Sequence, residues 1–80
     1  MFSNRTPDGK NNTCGVKIAE LRKNLKISQR ELADRLQING LDIDTNAVQR
    51  IESGQRFVTD IELVYLSTTL SVSIEELLRR

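Results

Sequence analysis

Eighty residues allow a single domain, and a formal net charge of +1 by itself names no partner. Aromatic residues are 4% with no Trp, so Leu, Ile and Val must build a small core, and the one Pro, Pro7, leaves everything after residue 14 free to be helical. One Cys and no His exclude an intrachain disulfide and a Cys-based metal cluster and argue against zinc; no cofactor or metal is expected.

Residues 1–13 are turn formers with almost no apolar content and read as a disordered N-terminal arm, an idle tail more than a DNA contact despite Arg5 and Lys10. The folded unit then spans residues 14–80. Helix 1 is expected from Cys14 or Gly15 to about residue 25, because Ile18, Leu21 and Leu25 form one apolar stripe. Helix 2 opens at Ser28, with Glu31 three residues on in a capping-box pattern, buries Leu32, Ala33 and Leu36, and stops near Asn39 before Gly40. Leu41-Asp42-Ile43 is a connector tacked to the core. Asp44 or Thr45 caps helix 3, which places Val48 and Ile51 inward and ends at Gly54.

Phe57 and Val58 are expected to anchor the next loop. Thr59 and Glu62 make a second box, opening helix 4 to about Leu70 with Ile61, Leu63, Leu66 and Leu70 inward. Ser73 and Glu76 make a third, opening a short helix 5 with Leu77 and Leu78. No strand alternation or repeat is present, so the fold class is all-α. Charge is uneven along the chain: residues 15–35 hold six Lys or Arg against three acids, whereas residues 60–80 hold four acids against two bases. Such a domain orients in a phosphate field.

Five short helices carrying Leu21-Arg22-Lys23, then Ser28-Gln29-Arg30-Glu31-Leu32-Ala33, then Ile51-Glu52-Ser53-Gly54-Gln55-Arg56, then the run from Leu70 to Leu78 resemble the lambda-repressor/Cro-like helix-turn-helix family of the xenobiotic-response-element type. The likeness spans about residues 15–78 and rests on the order and spacing of the pieces. It implies a compact five-helix domain, with the motif formed by helices 2 and 3, that binds double-stranded operator DNA, usually as a two-fold dimer. It places Ser28 and Gln29 at a phosphate, Thr45, Asn46, Gln49 and Arg50 on the recognition face, and Ser53, Gln55 and Arg56 on the backbone-contacting turn. It also pairs Arg22 with Glu52 in a partly buried ion pair. The chain departs from the pattern between helices 2 and 3, where residues 37–43 stand in place of the usual two, as in a branch with a lengthened connector. Ser67 also stands where Ala is common, a harmless change if its hydroxyl reaches a helix carbonyl.

The chemistry of these residues agrees. Asn and Gln match adenine N6 and N7, Arg matches guanine O6 and N7, and a Thr methyl meets a thymine methyl. No acid interrupts the outward face between Thr45 and Ile51. The free N–H groups at the start of helix 2 suit a phosphate. Arg56, Lys17, Lys23 and Lys26 are candidate phosphate neutralisers, and Arg22 is one unless it pairs with Glu52.

With no His and with acids scattered among caps and surfaces, no catalytic set forms and no enzyme is expected. No run approaches the ~20 apolar residues of a membrane span, and no secretory leader is read, which points to a cytoplasmic, nucleoid-associated protein. No small-molecule ligand and no separate effector domain are expected. The reading is therefore a sequence-specific transcriptional regulator of bacterial or phage type, a repressor acting as a homodimer through Ile74, Leu77 and Leu78. The alternatives are a restriction–modification controller, an antitoxin, or a protein-interaction module that kept the fold and lost DNA binding.

Overall fold

The computed structural model describes residues 5–79. Five helices follow in order: α1 (Gly15–Asn24), α2 (Gln29–Ile38), α3 (Thr45–Ser53), α4 (Asp60–Leu70) and α5 (Ile74–Leu78). No strand occurs among the described residues, in agreement with the all-α reading. Each helix from α2 onward starts where a side-chain oxygen takes up a free N–H of its first turn: Ser28 for Glu31, Asp44 for Ala47, Thr59 for Glu62 and Ser73 for Glu76. Of the three expected capping boxes only that of α4 is reciprocal, with the Glu62 carboxylate also accepting from the Thr59 N–H. Helix α3 ends at Gly54, whose φ of +83° favours glycine.

The core is built from Ile18, Leu32, Leu36, Val48, Ile51, Leu66 and Leu77, joined by Ala33, Ala47, Leu70 and others. Helix α3 packs against both α1 and α2, while α4 and α5 close the other side. The approach of α1 to α3 is close enough to demand glycine. A Cβ on Gly15 would lie 2.1 Å from the Ile51 carbonyl oxygen, a backbone atom that cannot step aside. Gly15→Ala should therefore push α1 off the end of α3 and destabilise the domain by about 2 kcal/mol in a urea titration.

Several sequence expectations are corrected. Leu25 lies beyond the last turn of α1 and is exposed, because the chain turns there through Lys26 at φ +60°. Ile61 is 65% exposed and Phe57 54% exposed. The inward face of α4 is set instead by Glu62, Leu66 and Leu70, spaced four apart. Glu62 can be buried because its charge is satisfied. Burial opposes ionisation, but the Thr59 N–H and the Arg56 guanidinium outweigh it and hold the pKa below the ordinary carboxylate value.

The expected disordered arm divides. Residues 1–4 lie outside the described residues, as does residue 80. Residues 6–13 form a turn and then dock on the end of α3 (below). Cys14, at the head of the folded unit, is a core residue, and burial pushes its thiol up to about 11.

The long connector is absorbed without a new element. Helix α2 takes up Gln37 and Ile38, and Gly40 turns the chain beside the Tyr65 ring. The Leu41 N–H returns to the Leu36 carbonyl at 2.9 Å. The Gln37 amide donates to the Ile43 carbonyl at 2.7 Å, and the Asn39 amide donates to the Thr69 hydroxyl at 2.8 Å. The extra residues are thus fastened to the core and to α4, and the outer face of α3 stays uncovered. Ser67 donates its hydroxyl to the Val64 carbonyl, the helix-carbonyl bond that makes it tolerable in α4.

Candidate nucleic-acid interface

Helix α3 is amphipathic in the sense a reading helix needs. Ala47, Val48 and Ile51 are buried, whereas Thr45, Asn46, Gln49 and Arg50 are all exposed. No hydrogen bond or ion pair among the described residues engages the side chains of these four. An amide pair, a guanidinium and a hydroxyl therefore stand free on one rod that is anchored along its opposite side. Ser53 follows, its hydroxyl donating to the Arg50 carbonyl at 3.2 Å, and Gln55 is exposed in the next turn.

The inner edge of α3 is locked to α1 and α2. Arg22 of α1 donates to both oxygens of Glu52, Nε to Oε2 at 2.7 Å and Nη2 to Oε1 at 3.1 Å, and its Nη1 donates to the Ile27 carbonyl at 2.8 Å. Hydrogen bonding to Glu52 raises the Arg22 pKa further above its ordinary value, so the pair stays charged. Arg22 thus pairs with Glu52 and ties α1 to the last turn of α3. Gln29 joins the same cluster, its amide donating to Glu52 Oε1 at 3.0 Å. This differs from the expectation that Gln29 faces a phosphate with a free amide. A partly buried carboxylate across from it offered a stronger acceptor than water, and α1, α2 and α3 meet at that one group.

The cationic surface is also redistributed. Lys23 and Lys26 are exposed and form no ion pair among the described residues, next to the start of α2. Lys17 instead pairs with Glu76 of α5 at 3.3 Å. Arg56 pairs with Glu62 at 2.7 Å and so ties the turn after α3 to the start of α4, with its side chain still 39% exposed. Sequence reasoning missed that pair: residues six apart across a loop match no helical spacing. Ser28 is spent on its cap, yet the backbone N–H groups of Gln29 and Arg30 have no hydrogen-bond partner among the described residues.

Of the three residues expected on a dimer surface, Ile74 and Leu78 are exposed and Leu77 is not. Leu77 is fully buried among the core residues, where it closes α5 onto the domain, and is withdrawn from the interface. In its place the structure exposes Ile61 and Val64 on one stripe of α4, with Phe57 just before it. No group of His, Cys, Asp or Glu that could hold a metal occurs among the described residues, and no helix among them is long and apolar enough to cross a membrane.

The helix-turn-helix family model matches residues 18–77. No functionally curated protein matches the chain. Among solved structures, the restriction-modification controller protein C.AhdI from Aeromonas hydrophila is similar, at 31% identity and a TM-score of 0.71 over 81% of this chain and 91% of that one. With the matched segment running from α1 to α5 and with α3 exposed as described, the chain belongs to the helix-turn-helix family in its lambda-repressor/Cro-like form and is a DNA-binding transcriptional regulator.

Proposed function

We propose that the protein binds a two-fold operator as a homodimer, with α3 of each copy in the major groove, and represses transcription by occupying that site. The observation that carries this reading is the free, acid-less outer face of α3. Thr45, Asn46, Gln49 and Arg50 supply base-edge partners, and each good bidentate pair contributes about 1–3 kcal/mol of discrimination. Lys23, Lys26, the first turn of α2, Ser53, Gln55 and the exposed part of Arg56 hold the phosphates on either side. Gln29 supports this surface from behind, through Glu52.

A second copy is the occupant proposed for the exposed apolar residues of α4 and α5. Ile61, Val64 and Thr68 lie three and four apart on one uncharged stripe, and Ile74 and Leu78 add to the apolar surface. One module buries too little DNA contact for tight, selective binding, and a two-fold pair doubles it. A two-fold pair sets its reading helices about one DNA turn apart. The protein then acts inside the cell, at the nucleoid.

The likeness to C.AhdI favours one narrower form of this reading, a controller of restriction and modification genes, over an antitoxin or a module that no longer binds DNA. The test is a titration of the protein with its own upstream DNA and with scrambled duplex over a salt series. Selective binding that weakens steeply with salt supports the proposal. Binding that is equally weak on every duplex, or indifferent to salt, contradicts it.

A further inference from the structure

The segment preceding α1 carries more structure than its composition announces. Asn12 makes three hydrogen bonds at once. Its amide nitrogen donates to the Ile51 carbonyl at 3.1 Å and to the Arg56 carbonyl at 2.7 Å, and its oxygen accepts from the Gly15 N–H at 2.9 Å. Its neighbour Asn11 donates from its backbone to the Gly54 carbonyl and from its side chain to the Gln55 carbonyl, both at 2.8 Å. The stem of Lys10 lies over Gly54, where an added Cβ would come within 2.7 Å of it.

Ile51, Gly54, Gln55 and Arg56 thus have their carbonyls held by one short stretch of chain 39 to 44 residues away in sequence. The Ile51 carbonyl also takes the Gly54 N–H at 3.1 Å, whereas the Gly54, Gln55 and Arg56 carbonyls lie past the last turn of α3, beyond its own hydrogen-bond ladder. Together they span the last turn of the reading helix and the turn that follows it. The far end of α3 is therefore not set by its packed side alone. Glu52 fixes its inner edge through Arg22 and Gln29, and the strap of residues 10–12 fixes its exit.

We infer that Asn12 is a positioning residue for DNA reading: by holding the Ile51 and Arg56 carbonyls to the start of α1, it sets the angle at which Gln49 and Arg50 meet the bases. The inference rests on the operator reading above and adds a residue that touches no DNA. Asn12 does two separable things. Asp at this position keeps the oxygen that caps Gly15 but loses both donors, the one to Ile51 of α3 and the one to Arg56 in the turn after it. It also adds a negative charge, for which Thr13→Asp, at the exposed neighbouring position, is the control.

The experiment uses the whole chain. The wild-type protein first selects a preferred duplex from a random pool, and affinities for that duplex and for a scrambled one are then measured for wild type, Asn12→Asp and Thr13→Asp. The ratio of specific to non-specific affinity is expected to fall about tenfold or more in Asn12→Asp, with a helical circular dichroism spectrum retained, and to stay near wild type in Thr13→Asp. Simple loss of stability would lower both affinities together and leave the ratio unchanged. An unchanged ratio in folded Asn12→Asp overturns the inference while the operator reading stands. If the wild type selects no duplex, the operator reading fails on its own. Amide exchange over residues 49–56 then decides the strap: faster exchange in Asn12→Asp than in Thr13→Asp supports it, and equal exchange overturns it.

Discussion

Arg22→Ala is expected to lower the stability of the domain by about 3 kcal/mol, the usual cost of stranding one partner of a buried ion pair. The pair is well shielded, with side-chain exposures of 12% for Arg22 and 7% for Glu52. Truncating Arg22 removes both hydrogen bonds to the carboxylate and the one to the Ile27 carbonyl. Gln29 remains, and its single neutral donor does not offset a buried charge. For a domain of this size, 3 kcal/mol is a large share of a total of about 5–15 kcal/mol. Urea unfolding followed by circular dichroism reads the loss as a lower midpoint with an unchanged slope. Replacing both residues, Arg22→Met with Glu52→Leu, should recover much of it, because the desolvation cost of the charges disappears with them. A double variant as unstable as Arg22→Ala would show that the pair matters for shape and not for charge balance.

The second large effect falls on binding. Gln49→Ala with Arg50→Ala removes two exposed side chains that no hydrogen bond or ion pair among the described residues engages, so the fold should be unaffected within about 0.5 kcal/mol. Two bidentate base contacts correspond to at least about 2 kcal/mol of discrimination, or about 30-fold in the ratio of operator to scrambled-duplex affinity. Non-specific affinity should also weaken modestly, because Arg50 carries a charge. The two variants therefore separate the roles of α3's two sides. Arg22→Ala damages stability first, and the Gln49, Arg50 pair damages selectivity with stability intact. Operator affinity that survives the double substitution would move the reading surface elsewhere.

The helices were legible because their signals are local. Ser28, Thr59 and Ser73 precede helices at the expected places, Asp44 took the cap that could equally have fallen to Thr45, and Gly54 ends α3. The outer face of α3 was legible for a similar reason, since Val48 and Ile51 three apart leave one solution for which side is buried. What escaped reading was long-range or depended on a charge finding a partner. Asn11 and Asn12 sit in a stretch whose Asn, Thr, Gly and Lys signal a turn, and nothing local shows that their amides reach carbonyls in the turn after α3. Gln29 looked outward until Glu52 was placed opposite it. Ile61 looked like core because it is apolar, yet the buried carboxylate of Glu62 turned the helix the other way. Leu77 and Leu78 are identical in type, and only the tertiary fold tells that the first is buried and the second exposed.

The most direct test of the central claim, that the free face of α3 reads base edges in the major groove, is interference by 7-deazapurine substitution on the duplex selected by the wild-type protein. That substitution removes the N7 acceptors which Arg takes on guanine and Asn or Gln takes on adenine, and leaves the minor groove unaltered. The account predicts loss of binding at two clusters of purines centred about 10 base pairs apart, one for each α3 of the dimer, and a smaller loss, confined to positions read by Asn46, when the same duplexes meet the Gln49→Ala, Arg50→Ala protein. Binding indifferent to every 7-deaza position, yet abolished by changes confined to the minor groove, would contradict it.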